Sequence, residues 1–189
     1  MLCRSFTLFL LPLLLSCARS VSPNAQSSSG EAPQWQLTES IYQAMERGSG
    51  RLAISLEDQT LRLYDQAGRL ALSSDCSTGI PGHETPAGRY RILEMIVEKR
   101  SNLYGKYVDK HTGETVVAKS WEVDGPPAGT KFQGTAMPYW MRLTWDGVGI
   151  HVGAFPRGYR SSFGCIRMPE AVQPLVYAKC RLGTRVTIH

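Results

Sequence analysis

RLAISLEDQTLRLYD, residues 51–65, has the alternation of apolar and polar side chains that is typical of half-buried β-strands. The apolar positions lie on either side of a polar centre, at Leu52, Ile54, Leu56, Leu61 and Leu63. The centre, Glu57-Asp58-Gln59, suits a turn. The segment therefore predicts a β-hairpin with one buried face.

The rest of the chain continues this pattern of short strands. Gly and Pro residues separate further strand candidates at residues 70–76, 88–97, 137–144, 148–152 and 185–188. Helical spacing of apolar residues predicts two short helices, at 35–46 and 169–180. Residues 101–138 form a long excursion, which we expect to be a loop over the functional site. These elements indicate a mainly β fold, a sandwich or a barrel-like domain with one or two short helices packed on it.

The first 34 residues have the composition of a targeting segment. Arg4 precedes an apolar run at residues 6–15, which is shorter than the roughly 20 residues of a membrane-spanning helix. We therefore expect a signal peptide over residues 1–16. Leu14-Leu15-Ser16-Cys17 resembles the bacterial lipobox, which implies a lipid anchor on Cys17. An ordinary signal cleaved near Ala18 is the alternative.

The expected domain organisation follows from these boundaries. Residues 17–34 carry the lipidated cysteine and a flexible tether rich in Ser, Ala, Pro and Gln. Residues 35–50 hold a short helix, and residues 51–189 form the main folded domain. A lipid on Cys17 would make the protein a membrane-anchored lipoprotein of the bacterial cell envelope, facing the periplasm or the wall.

The charge of the chain limits the classes of partner that we expect, and its cysteines limit the possible disulfides. The formal net charge is +5, without a long Lys/Arg block, so we expect no nucleic-acid partner; an anionic cell-wall polymer fits this charge. Beyond the signal and Cys17, three cysteines remain: Cys76, Cys165 and Cys180. Three thiols cannot all pair with one another. Either Cys76 and Cys180 form a disulfide, or they are buried single thiols.

The stretch SSFGCIRMP, residues 161–169, places a cysteine on a Ser-Xaa-Gly-Cys turn. The strand candidate before it, VGIHVG, residues 148–153, supplies His151. A thiol is nucleophilic only as a thiolate and needs a base. We therefore predict Cys165 as the nucleophile and His151 as the proton acceptor and donor, with the thiol pKa lowered by the pairing. The backbone N–H groups of Gly164 and Cys165 are the candidate oxyanion donors.

Five ordered segments of the chain resemble the L,D-transpeptidases of the YkuD type, bacterial enzymes that remodel peptidoglycan. The segments are RLAISLEDQTLRLYD (51–65), STGIPGHETPAGRYRI (77–92), MPYWMRLTWDGVGIHVG (137–153), SSFGCIRMP (161–169) and GTRVTI (183–188). The resemblance covers residues 51–189. It implies a YkuD-like β sandwich and an enzyme that uses no cofactor and no metal.

The resemblance also implies a reaction on peptidoglycan stem peptides. Cys165 would attack the carbonyl of the third stem residue, commonly meso-diaminopimelate, and release D-alanine. An amine of a neighbouring stem would then resolve the thioester to form a cross-link, whereas water would give L,D-carboxypeptidase activity. A protein lysine, as in an acceptor lipoprotein, or a free D-amino acid are further acceptors that the sequence leaves open.

Three residues near the nucleophile are candidate substrate contacts. Arg167 is suited to pair with a stem carboxylate, because a guanidinium matches carboxylate geometry; an ion pair with Glu170 or Asp146 is the alternative. Ser162 is expected to shape the turn and to touch substrate. Arg160 lies on the loop between base and nucleophile, and we expect it to contact substrate as well.

The chain departs from the family pattern at Phe163, where many members have histidine, so His151 would act as the single imidazole of the motif. The residue after the base is Val152, where glycine is frequent, and we expect a backbone carbonyl to orient His151. Phe163 motivates the alternative of a non-catalytic wall-binding lipoprotein. A zinc site formed by His83, His151 and Cys165 is a further alternative, although the usual ligand spacings are missing from the sequence.

Overall fold

Two β-sheets that share one hydrophobic core make up residues 33–189, the part of the chain that this computed structural model describes. The first sheet contains six strands: β1 (Trp35–Leu37), β2 (Arg51–Ser55), β3 (Thr60–Tyr64), β4 (Leu70–Asp75), β5 (Gly88–Arg91) and β11 (Arg185–Ile188). Their order is β1-β4-β3-β2-β11-β5. The predicted hairpin of residues 51–65 is confirmed as β2 and β3 at the centre of this sheet.

The second sheet contains five strands: β6 (Glu94–Asp109), β7 (Thr115–Val117), β8 (Thr130–Arg142), β9 (Gly149–Val152) and β10 (Ile166–Met168). Their order is β10-β9-β8-β6-β7, and the β9–β10 pair is parallel while the other pairs are antiparallel. Two short helices, α1 (Glu39–Ala44) and α2 (Gln173–Ala178), complete the fold. The prediction of a mainly β sandwich with short helices is confirmed.

The core is formed by every second side chain of the inner strands. The first sheet contributes fully buried side chains such as Ile54 and Leu61, and the second contributes Met141, Ile150 and Ile166. Because successive side chains of a strand point to opposite faces, the neighbours of these residues lie on the outer faces of the two sheets. The outer face of the second sheet carries the functional residues described below.

The predicted helix of residues 35–46 is wrong in its first part. Trp35–Leu37 pairs as the edge strand β1 with β4, and only Glu39–Ala44 is helical. A three-residue edge strand follows from the hydrogen bonds that β4 offers, which no local periodicity reveals. The helix predicted at 169–180 is shorter in the structure, since α2 begins at Gln173 after a turn that starts at Pro169.

The excursion predicted as a loop at residues 101–138 is mostly strand. β6 and β8 form one long antiparallel hairpin whose register extends from Glu94↔Arg142 to Asp109↔Thr130. In its outer half, buried, half-buried and exposed side chains follow one another without regular alternation, so the pattern that identifies a half-buried strand is missing from the sequence. None of the described helices is long and apolar enough to cross a membrane.

Cys76 and Cys180 are buried free thiols, and the described residues contain no disulfide between them. Burial raises the pKa of each thiol to about 12. Both are therefore unreactive core residues at neutral pH, while Cys165 is partly exposed. The predicted signal peptide, the lipid site at Cys17 and nearly all of the tether lie outside the described residues.

Site-resolved alkylation should distinguish the three thiols. We expect iodoacetamide to label Cys165 of the native protein at least about tenfold faster than Cys76 or Cys180, because the thiolate is the reacting species and burial also blocks access. In urea all three should label alike, which serves as the control. Peptide mass spectrometry of the unreduced protein would contradict this if it found Cys76 linked to Cys180.

Candidate active site

The parallel pair β9 and β10 places the base beside the nucleophile turn. His151 pairs directly with Arg167, and Ile150 pairs with Ile166 on the core side. His151 and Arg167 therefore lie together on the outer face of the second sheet. Cys165 immediately precedes β10 and lies level with Gly149, two residues from His151 along the neighbouring strand.

His151 is held in one orientation and one tautomer. Its side chain is buried, and Nδ1 lies 2.7 Å from the carbonyl oxygen of Val152. A carbonyl only accepts hydrogen bonds, so Nδ1 carries the proton and Nε2 presents its lone pair. The predicted orienting carbonyl is thus that of Val152. The indole of Trp140 packs against the imidazole at 5.9 Å between ring centroids and is itself fixed by a 2.9 Å hydrogen bond to Glu94.

The Cys165 thiol is bound to backbone groups. It donates to the carbonyl of Gly147 at 3.5 Å and accepts a hydrogen bond from the N–H of Gly149. Among the described residues, no hydrogen bond joins the thiol to the His151 imidazole. The strand pairing brings the two side chains to the same face of the second sheet.

The pKa values of Cys165 and His151 differ from those expected of a thiolate paired with an imidazolium. Burial raises the pKa of Cys165, although the Gly149 N–H and the charges of Arg167 and Arg142 act in the opposite direction. Burial also lowers the pKa of His151 to about 4, opposed by the Val152 hydrogen bond and assisted by the charge of Arg167. The expectation of a lowered thiol pKa is wrong for this resting site. At neutral pH the site holds a neutral thiol and a neutral imidazole.

The nucleophile turn is stabilised from within. Ser162 is 2% exposed, and its hydroxyl donates to the carbonyl of Cys165. Gly164 has φ +105, a left-handed conformation that favours glycine. Its carbonyl accepts a 2.8 Å hydrogen bond from the Thr85 hydroxyl. Ser162 shapes the turn as predicted, and its hydroxyl is used inside the turn.

Two backbone donors of this turn are available. Within residues 33–189, the N–H groups of Gly164 and Cys165 donate to no protein acceptor. Backbone N–H groups without a protein acceptor beside a thiol are the type of donor that forms an oxyanion hole. These are the two donors that the sequence analysis singled out.

A second segment, residues 77–85, supports the turn from outside. Ser77 and Arg167 exchange two backbone hydrogen bonds of 3.0 and 2.8 Å, and the carbonyl of Thr78 accepts from the N–H groups of Ser161 and Ser162. A Cβ at Gly79 would collide with the backbone of residues 83–85, so this segment depends on glycine for its close packing. Its residues build the scaffold of the site.

The buried Gln59 fixes this scaffold to the hairpin of β2 and β3. Its side-chain amide donates to the carbonyl of Leu56 at 2.7 Å and to the hydroxyl of Thr78 at 2.8 Å. Its side-chain oxygen accepts from the Thr78 N–H at 2.8 Å. The central hairpin thereby sets the position of the segment that supports the nucleophile.

The predicted arginines occupy different environments. Arg167 is partly buried, donates to the carbonyl of Ala154 at 3.3 Å, and has no acidic partner within ion-pair distance among the described residues. Neither Glu170 nor Asp146 pairs with it. Arg160 is exposed but donates to the carbonyl of Leu56 at 2.7 Å and to the Thr78 hydroxyl. Arg167 is therefore the better placed of the two to receive a carboxylate.

Four rings form a cluster beside the nucleophile that the sequence analysis did not predict. Phe163 stacks on Tyr104 at 5.1 Å and makes edge contacts with His83 at 4.8 Å and Trp121 at 5.7 Å. Tyr104 belongs to the long hairpin, which thus reaches over the site as expected although it is not a loop. His83 therefore packs against Phe163 in this cluster. Trp140 was also missed as a neighbour of the base, since only the strand pairing brings it there.

The family model of the L,D-transpeptidase catalytic domain, YkuD, matches residues 49–188. A search of curated protein sequences found no match. Solved structures with a similar fold include an L,D-transpeptidase from Mycobacterium smegmatis, which is 16% identical with a TM-score of 0.57. That match covers 75% of this chain and 59% of the other.

Two structures from Enterococcus faecium are also similar. A mutant L,D-transpeptidase is 24% identical with a TM-score of 0.54, covering 76% of this chain and 50% of that one. A separate catalytic domain is 24% identical with a TM-score of 0.53, covering 74% of this chain and 96% of that one. The chain thus spans half to three fifths of the longer proteins and nearly all of the isolated domain.

Acid should destabilise the protein through His151. The pKa of His151 is lowered from its ordinary value of 6.5 to about 4 in the folded protein. Between these two pH values, His151 is therefore protonated in the unfolded chain but neutral in the native site. From neutral pH to about pH 5 this residue should lower the free energy of unfolding by about 2 kcal/mol. Urea denaturation of wild type and His151→Gln should show this difference, with exposed His83→Gln as the control. An equal acid effect in wild type and His151→Gln would contradict it.

Proposed function

This chain belongs to the YkuD family of L,D-transpeptidase catalytic domains and is an enzyme, and from that premise we propose that Cys165 and His151 carry out acyl transfer on peptidoglycan stem peptides. The observation that carries this proposal is the arrangement of the turn. A thiol, an imidazole with a free Nε2 and two available N–H donors lie at the junction of β9 and β10.

The first step begins from the neutral pair. Cys165 rotates away from Gly147, and His151 Nε2 accepts the thiol proton as Sγ attacks the carbonyl of the third stem residue, which we take to be meso-diaminopimelate. Burial disfavours a separated thiolate and imidazolium, so proton transfer accompanies attack. The N–H groups of Gly164 and Cys165 receive the oxyanion. The imidazolium then protonates the departing amine, which releases D-alanine and leaves a thioester on Cys165.

The second step reverses the roles of the same groups. An amine of a neighbouring stem attacks the thioester, and neutral His151 accepts the proton that this amine loses. Collapse of the tetrahedral intermediate forms the new amide and returns the thiol. With water in place of the amine, the same site would act as an L,D-carboxypeptidase.

Substrate carboxylate recognition is assigned to Arg167. Its guanidinium is on the same face as His151 and lacks an acidic partner among the described residues, so a stem carboxylate would compensate its charge. Arg160 and Ser162 support the site by holding the loop and the turn; direct substrate contact by either stays a prediction. The aromatic cluster of Phe163, Tyr104 and Trp121 would form an apolar wall beside the acyl group.

The cellular setting is proposed from the sequence. A lipid on Cys17, followed by the tether of residues 17–34, would hold the catalytic domain at a membrane of the bacterial envelope, facing the periplasm or wall. Family membership favours an enzyme over the non-catalytic wall-binding lipoprotein that Phe163 suggested.

Incubation with tetrapeptide muropeptides tests the reaction. We expect wild type to release D-alanine and to form a covalent adduct on Cys165. Cys165→Ala should form no adduct, and His151→Gln should lose about 10²- to 10⁴-fold in rate because a general base contributes that much. Cys180→Ala is the matched control and should keep activity. Full turnover by Cys165→Ala would reject the assignment, and mass spectrometry of the products separates cross-links from hydrolysed stems.

Metabolic labelling with radioactive palmitate tests the anchor. We expect the wild-type chain to be labelled and to sediment with membranes, and Cys17→Ala to be unlabelled, since the thiol of this residue receives the lipid. Cys3→Ala is the control, because the signal peptide that contains it is removed. An unlabelled wild-type protein would leave an ordinary cleaved signal as the explanation of residues 1–16.

A further inference from the structure

Three arginines lie side by side on adjacent strands of the first sheet. Arg185 of β11 pairs directly with Arg91 of β5, and the Val186↔Leu52 pairing places Arg185 beside Arg51 of β2. All three side chains are exposed, because their strand neighbours Leu52 and Val186 point into the core. Side chains at such positions are roughly 5 Å apart at Cβ.

This arrangement is unfavourable in the free protein. Like charges directly opposite one another on neighbouring strands destabilise a sheet. Among the described residues, no carboxylate forms an ion pair with any of the three. Arg51 donates to the backbone carbonyl of Asp65, and Arg91 donates to the carbonyl of Gly183. The nearby carboxylate of Asp65 is paired with Arg69.

A fourth arginine borders an open cleft beside this row. Arg181 lines, together with the three, a cleft of about 590 Å³. The other lining side chains are neutral, among them Ser49 and Gln66. The side chain of Arg181 lies against Gly48, so close that a Cβ there would displace it. We call this cavity the arginine cleft.

The arginine cleft is separate from the active site. Arg51 begins β2 and Arg185 begins the parallel strand β11, whereas the segment that supports Cys165 is fixed at the opposite end of the hairpin, at Gln59. A stem peptide bound at Cys165 does not account for charges at the far end of the sheet.

We propose that the arginine cleft binds an anion that carries two or more phosphate groups. Four arginines line one cleft, which is enough positive charge for two doubly charged phosphates, and a guanidinium offers several N–H donors in the fork geometry that phosphate oxygens accept. The volume is that of a ligand larger than one phosphate ion. The inference does not depend on the proposed reaction.

The position of the cleft favours a soluble or polymer-bound phosphate over a membrane surface. Gln34, near the start of the described chain, exchanges hydrogen bonds with Asp75 at the end of β4. That is the end of the sheet nearest the catalytic turn. A chain tethered through its N-terminal segment would therefore be attached at the end of the sheet opposite the arginine cleft.

Titration with tripolyphosphate tests the proposal. Using the full-length protein at low ionic strength, we expect calorimetry to show binding that is about tenfold or more weaker in Arg181→Gln/Arg185→Gln, since charge-assisted hydrogen bonds are lost. Lys110→Gln/Lys131→Gln removes the same charge from exposed sites on the second sheet and should change the affinity less than about twofold. Without ligand, the arginine double variant should melt no lower than wild type, because repulsion is relieved.

Four outcomes would overturn the proposal. The first is equal weakening in both double variants, which would indicate general charge attraction, and the second is no binding by wild type. The third is equal affinity for citrate, which would assign the cleft to carboxylates. The fourth is binding to phosphatidylglycerol vesicles that tripolyphosphate cannot displace, which would assign the arginines to a membrane surface instead. Release of D-alanine should be unchanged in both double variants, whichever reaction product the enzyme forms.

Discussion

The parallel pairing of β9 and β10 is the constraint on which the site depends. It sets His151 opposite Arg167 on one face and buries Ile150 against Ile166 on the other. A slip of one residue would turn the base into the core and an isoleucine towards the substrate. The register is held from outside by the backbone bonds between Ser77 and Arg167, so the support segment protects the alignment as well as the turn.

Burial gives the site its chemical character. It keeps both the thiol and the imidazole neutral, which makes the resting enzyme a poor general nucleophile. Reactivity then requires a substrate that reaches the pair and an oxyanion that the turn can stabilise. The Val152 carbonyl contributes by fixing the tautomer, and Trp140 contributes by excluding water from one side of the ring.

The sequence was sufficient where one side chain pattern or one motif determines the structure. Alternation located the hairpin of residues 51–65, and the motif at residues 161–169 located the turn with its positive-φ glycine. The sequence was insufficient where pairing between strands that are distant along the chain determines the structure. In the outer part of the long hairpin, buried, half-buried and exposed side chains follow one another without regular alternation, so these strands leave no periodic signal, and the contact of Tyr104 with Phe163 arises only in three dimensions. The thiol pKa was mispredicted for a related reason, since burial is set by the whole fold.

The first sheet has two chemically different ends that are separated by the apolar core. One end holds Gln59 and the support segment, whose buried hydrogen bonds position the nucleophile. The other end holds Arg51 and Arg185, whose exposed charges contact no catalytic group. The core between the ends is apolar and closely packed, so charge changes at the arginine end leave the geometry of the turn intact. A ligand at that end would therefore leave the position of Cys165 unchanged.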